Sequence, residues 1–552
     1  MSPPPSTKRA SRWFAPLAIL GFAAAVCFCG LFLLDWMRFT PAHGDKAGPL
    51  FQFFNFDPDT AQNALGNLAQ VIAAVLGIVI TVVSIVVQLA ATRYTPRIAD
   101  MFFRDRTNLA VLGFFVVAGI DAVWVSLSVT HEFVPRLSIL GSLVIVSASL
   151  LIMVPYFAYV FDFLDPEKIV ARIQEHALAS ALRPQMDETG DAGEAQAKVV
   201  ASIEQLADVA MNAISQKDKL IAQGAVDALK ELAVCYLGGK QQSQTAWFKV
   251  GSRLRQNPDF VSLARESLDD LTARRVWMEW KVLRQFQALY AEALGTAPDM
   301  NYLIALDTRY IGDAALEIGD SEALQLVVKF FNTYLRATLN AEEVRTAYNV
   351  LNQYRQLCEN VLSATPDNKP DNKTDNSTGN TTGKKPLAVE IAGYFRYYGQ
   401  TAHGMRLGFI AETVAYDLAS ICEHAFNCRS ACHDELLKLL LTVDQSAETD
   451  QQELILRGVR KAQVKLATFY LQAGAEAHAR TIAADMRDEG PARLKLIHDE
   501  LAAVRTRDFW EVIDRGSNFD YIDEKRREKL EVFFGWFPGL AQLQSPVVVN
   551  GG

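Results

Sequence analysis

Cysteine is scarce in this chain. There are seven thiols among 552 residues, without the dense, even spacing of a stapled scaffold, which speaks against a disulfide framework and fits a reducing compartment. An excess of positive charge is missing as well. Lys and Arg number 54 against 63 Asp and Glu, a formal charge of −9, and no basic stripe dominates, so a nucleic-acid partner is not expected. Catalytic signatures are lacking: GxxxxGK[ST], HExxH and GxSxG do not occur, and no residue set nominates a nucleophile, a base or a cofactor site. The chain therefore reads as a non-enzyme with no cofactor. Apolar/polar alternations typical of strands are few, which points to an all-α fold.

What the chain does have is long apolar runs. Segments 13–34, 68–91, 109–129 and 137–161 each meet the roughly 20-residue length of a membrane-spanning helix. Three carry no charged side chain and the third carries only Asp121. The reading is a four-helix transmembrane domain over 13–161, preceded by a short tail, 1–12. Arginine placement orients it. Lys8, Arg9 and Arg12 precede the first span, and Arg93, Arg97, Arg104 and Arg106 lie between the second and third, while the other two loops are poor in basic residues. Both termini are expected in the cytoplasm. The first run, 22 residues long, is read as an uncleaved anchor rather than a signal peptide.

Past residue 161 the sequence changes character. Asp165 suits an N-cap, Pro166 a first helical position and Glu167 a first turn, so a new helix starts there. Apolar residues then recur at three- and four-residue spacing, predicting helices over 197–215, 218–237, 274–294, 321–339 and 341–362. Segment 365–385 has no large apolar residue and is expected to be a disordered linker. Its N-x-[ST] matches at Asn372, Asn376 and Asn380 mean nothing for a cytosolic segment. The linker separates helical block 165–364 from block 386–552, which are either independent domains or one array with an insertion. Two helices joined at Gly474 resemble a tetratricopeptide hairpin, but no 34-residue period persists. A large cytosolic helical bundle or irregular α-solenoid describes the whole region.

Four constellations are candidates for function. On the second span Gln70, Ala74, Gly77, Thr81, Ser84, Gln88 and Ala91 follow one another by steps of four and three, a seam on one side of the helix. Lipid does not require such a seam; it either bonds neighbouring spans or lines a pore at an oligomer axis. Asp121 costs about 2.5–3.5 kcal/mol at mid-membrane on insertion scales, so it is expected neutral, partnered or wet, or else it binds a proton or cation. Arg93, Arg97, Arg104 and Arg106, with Thr95-Pro96 opening a short interfacial helix, either anchor to headgroups or form an ion-attracting vestibule or docking surface. Cys422, His424, Cys428, Cys432 and His433 form a metal-like cluster, but the cysteine gaps of six and four do not encode a zinc site, and ordinary buried cysteines are the plainer reading. No metal is assigned.

The stretch GIVITVVSIVVQLAATRYTPRIADMFFRDRTNLAVLGFF at 77–115, followed by EFVPRLSIL at 132–140, resembles the bacterial predicted membrane proteins called domain of unknown function 2254. The resemblance covers 60–165. A Leu-Ser-Pro…Asn-Asp-Pro stretch common in that family is only echoed here by AISQKDKL at 213–220, without its prolines. The family implies a multi-pass protein of the bacterial inner membrane and carries no activity to transfer. The expectation is a homo-oligomer in the lipid bilayer that forms or regulates a channel or transport path, with the helical cytosolic region as its regulator. The alternative is a membrane-anchored scaffold or signal transducer whose cytosolic helices bind a protein partner.

Overall fold

Three of the apolar runs, 68–91, 109–129 and 137–161, correspond to helices longer than the runs themselves. A computed structural model describes residues 57–93, 102–131, 134–182, 192–364, 386–444, 449–509, 511, 514–516 and 518–538. Helix α1, Pro58–Arg93, begins well before the apolar run because Asp57-Pro58-Asp59 is itself a start signal. The Asp57 carboxylate accepts from Thr60 N at 3.2 Å, Pro58 needs no N–H partner, and Asp59 complements the positive helix end. At about 1.5 Å per residue, 36 residues exceed the roughly 30 Å hydrocarbon core, so part of α1 extends beyond it. Helices α2, Arg106–Ser128, and α3, Arg136–Phe163, follow; α3 keeps Pro155 inside it.

These are three candidate membrane spans, not four, among the described residues. The expected span 13–34, the tail 1–12 and the linker 365–385 lie outside them. The three helices pack up-down-up. Ala61 and Leu65 of α1 meet Val125, Val129 and Ile139, while Ile72 meets Ala118, Ala122 and Val146. The outward faces of α2 and α3 stay apolar and exposed, as at Trp124 (70%), Leu127 (75%) and Leu137 (85%), which suits a lipid-facing surface.

The chain divides into two units, residues 1–171 and 172–552. Helix α4, Pro166–Leu182, starts where expected, with Asp165 Oδ1 accepting from Glu167 N at 3.1 Å. The second unit continues with α5 Ala192–Ser215, α6 Lys219–Gly239, α7 Arg265–Ala273, α8 Trp277–Ala293, α9 Pro298–Glu317, α10 Ser321–Asn340 and α11 Val344–Ala364. It then runs through α12 Leu387–Gly404, α13 Gly408–Asn427, α14 His433–Leu441, α15 Asp450–Gln472, α16 Glu476–Asp485, α17 Pro491–Ala503 and α18 Glu524–Phe534. No strand occurs among the described residues. Residues on either side of the linker share this unit, with α11 packing on α13.

Most helix-to-helix corners place one residue in the left-handed region. Gly295, Gly319 and Gly474 do so at no steric cost, but Lys217, Arg275, Glu342, Arg406 and Arg429 do the same with side chains. The repeated corner makes successive helices antiparallel neighbours. The interior is held by aromatic side chains such as Trp247 and Trp277 and by buried ion networks. Lys281, with no exposed surface, donates to Glu204 at 2.9 Å, Asp259 at 2.5 Å and Asn257 at 3.1 Å. Three acceptors satisfy all three ammonium protons, which is what lets a charge sit in a core.

Candidate functional site

On α1 the seam and the packed face are opposite one another. The buried residues are Ala61, Leu65, Ile72, Val79, Val83, Val87 and Ala90; Gln70, Ala74, Gly77, Thr81, Ser84 and Gln88 are exposed. At about 100° per residue, Thr81 lies about 160° from both Val79 and Val83. The face that meets α2 and α3 is therefore apolar, and the seam points the other way. Thr81 Oγ1 turns back to its own helix, donating to Gly77 O at 2.8 Å. A Cβ added at Gly77 would meet nothing within 4 Å.

Asp121 sits on α2, partly exposed, with Oδ2 buried and lacking a hydrogen-bond partner among the described residues. Of the four expected arginines, Arg104 and Arg106 are exposed, Arg93 is the last residue of α1, and Arg97 lies outside the described residues together with Thr95-Pro96. Residues 102–104 form a helical turn leading to the N-cap of α2.

That lead-in holds a constellation the spacing of the sequence does not reveal. Asp105 caps α2, accepting from Thr107 N at 2.8 Å and Asn108 N at 3.4 Å. The same Asp105 Oδ1 accepts from the Tyr159 hydroxyl at 2.5 Å, and Asn108 Oδ1 accepts from the Tyr156 hydroxyl at 2.6 Å. Asn108 Nδ2 donates to Phe102 O at 3.3 Å, and Phe102 packs edge-on against Phe163, with ring centroids 5.2 Å apart. Burial raises the Asp105 carboxyl pKa, but the Tyr159 and backbone hydrogen bonds outweigh it and hold the group below its ordinary value. The start of α2 is thus clamped to the end of α3. The only local signals were the Asp105 cap and two tyrosines three residues apart near the end of an apolar run.

The metal-like cysteines do not converge as a set. Cys422 is buried, its thiol pushed up by that burial, while Cys428 is exposed and its Sγ lies 3.5 Å from His424 Nε2. His424 Nε2 also meets Ser363 Oγ at 2.8 Å, and Cys432 Sγ meets Ser430 Oγ at 3.2 Å. His433 faces Tyr470, its Nε2 2.7 Å from the hydroxyl.

The second unit also carries an open cleft of about 730 Å³. Tyr348, Phe409 and Phe519 form aromatic walls, and Glu412, Lys461 and Asp520 lie at its polar side. Lys461 is shared between Asp520 at 2.8 Å, Glu412 at 3.3 Å and Glu500 at 3.5 Å. One turn along α15, Lys465 donates to Phe519 O at 2.7 Å, and burial lowers its pKa to about 8.

Residues 9–236 match the family model DUF2254, described as predicted membrane proteins. Over that segment, less than half of the chain, the protein is similar to the family. The DUF2254 match takes in the expected first span, all three described spans and, in the second unit, α5 and most of α6, so it reaches well past 60–165 and through 213–220. The comparison with curated proteins and the comparison with solved structures give no match.

Proposed function

We propose that this membrane protein self-associates through the seam of α1 and conducts or transports a small solute along it, with the second unit as regulator. The observation that carries the reading is the exposure of Gln70, Thr81, Ser84 and Gln88 on the side of α1 opposite the face packed on α2 and α3. A polar stripe exposed to hydrocarbon is costly, and a second copy or a water-filled path relieves that cost. Three or four helices enclose too little room for a path, so conduction requires several copies. In this reading the protein sits in a bacterial inner membrane with both termini cytoplasmic, so that Gln88 lies at the inner end of the seam and Gln70 at the outer.

Flux measured in proteoliposomes tests the proposal. Ion release should exceed that of empty vesicles and should change with Ser84→Leu or Gln88→Leu. Equal leak with and without protein, across several ions, or a strictly monomeric protein in lipid nanodiscs, would sink it.

A second reading rests on the cleft of the second unit. Its aromatic walls and charged side suit an amphipathic ligand or a partner's side chain, which fits a membrane-anchored scaffold or signal transducer. Specific capture of a cytoplasmic protein by the full-length chain, lost on Phe409→Asp, together with absence of flux, would favour it.

A further inference from the structure

The cluster that the cysteines fail to complete is replaced by another, in which a consecutive pair meets a residue 44 positions from its second member. His433 and Asp434 open α14; His478 comes from α16. Asp434 Oδ1 lies 3.2 Å from His433 Nδ1 and 3.1 Å from His478 Nε2, and one ligand atom from each of the three residues falls within 4.8 Å of the others. Ligands about 2.0 Å from a tetrahedral zinc ion stand about 3.3 Å from one another, so both observed edges are close to those of a coordination tetrahedron. We propose that His433 Nδ1, Asp434 and His478 Nε2 bind a divalent transition ion, with zinc the best match to two imidazoles and a carboxylate.

The surroundings support ligation rather than simple hydrogen bonding. His433 Nε2 meets the buried Tyr470 hydroxyl at 2.7 Å, the outer partner that fixes a ligating imidazole with its other nitrogen free for metal. His478 is held by rings, with centroids 4.8 Å from His433 and 5.3 Å from Tyr470. Its Nδ1 is buried with no hydrogen-bond partner among the described residues, so Nε2 is the ring edge in use. Asp434 is exposed, which leaves the fourth position open to water or to a ligand from outside. The ion takes the place of the protons that now join both imidazoles to one carboxylate, and it ties α14 to the α15–α16 hairpin.

Full-length protein in detergent, stripped by chelator, equilibrated with zinc and desalted, should retain one zinc per chain by elemental analysis. Asp434→Asn and His478→Gln, on the accessible side, should each weaken retention at least about tenfold, and Tyr470→Phe by about 10- to 100-fold. His498→Gln should retain zinc; that imidazole lies between Asp499 and Glu531, at 3.0 Å from each, and serves as the control. On the unaltered chain zinc should raise the melting temperature and magnesium should not. No retained zinc, equal affinity in Asp434→Asn and His478→Gln, or melting curves that ignore zinc would each overturn the proposal.

Discussion

The Tyr156 hydroxyl donates to Asn108 Oδ1 across 2.6 Å, joining residues 48 positions apart on α3 and α2. Neither residue is charged, so the contact closes the bundle without an ion in the bilayer. Beside it, Tyr159 reaches Asp105, and the two bonds together fix where α2 begins relative to the end of α3.

Tyr156→Phe removes the hydroxyl and leaves Asn108 Oδ1 without its donor. A loss of about 0.6 kcal/mol, and of no more than about 1.7, is expected, the average and maximum measured for side-chain hydrogen bonds between membrane helices. Thermal or denaturant unfolding in nanodiscs reads it, and an unchanged midpoint would count against the clamp.

Asp105 gives the clamp a pH dependence with a definite sign. Its folded-state pKa lies below its ordinary value, so the stabilisation is complete above the unfolded-state pKa and fades as pH falls through the lower, folded one. Unfolding midpoints measured on the acid side should fall more steeply with acidification in the parent protein than in Asp105→Asn.

Lys465 shares that sign, stability rising with pH, but it does so by shedding a burial penalty rather than by keeping a favourable bond. Its folded pKa of about 8 lies below the ordinary 10.5, so the penalty for burying the ammonium is fully present below pH 8 and is relieved as pH rises toward 10.5. Lys465→Met should be more stable than the parent at neutral pH, with the difference shrinking between those two values. A difference independent of pH would contradict the assignment.

Gly399 lies on α12, where a Cβ would come within 2.9 Å of both Val414 Cγ1 and Val443 Cγ2. Alanine is favoured over glycine by about 1 kcal/mol in a helix interior, but overpacking costs about 1–3 kcal/mol, and branched valines cannot swing aside. Gly399→Ala should therefore destabilise, by calorimetry or chemical unfolding, despite its better propensity.

Glu342 turns the corner between α10 and α11 at φ 55° and is exposed. A side chain there carries a left-handed penalty of about 1–2 kcal/mol that glycine avoids, partly offset by glycine's greater freedom when unfolded. Glu342→Gly should raise stability by up to about 1 kcal/mol. A clear loss would mean that the side chain holds the corner.

The sequence by itself determined the helical class, the three described spans to within a few residues at most ends, and starts such as Asp165-Pro166. These follow from length, periodicity and capping, whose free energies are decided within one or two helical turns. It marked the seam of α1 but not its direction, since three- and four-residue spacing defines a face without naming what covers it. Tertiary structure set the seam opposite the face packed on α2 and α3. It also brought Asp105 to Tyr159, turned helix corners on Lys217 and Glu342 rather than on glycine alone, and brought His433 and Asp434 to His478. Each of those outcomes depends on which distant faces bury the most apolar surface with their polar groups satisfied, a balance struck over the whole fold and invisible in any short stretch of chain.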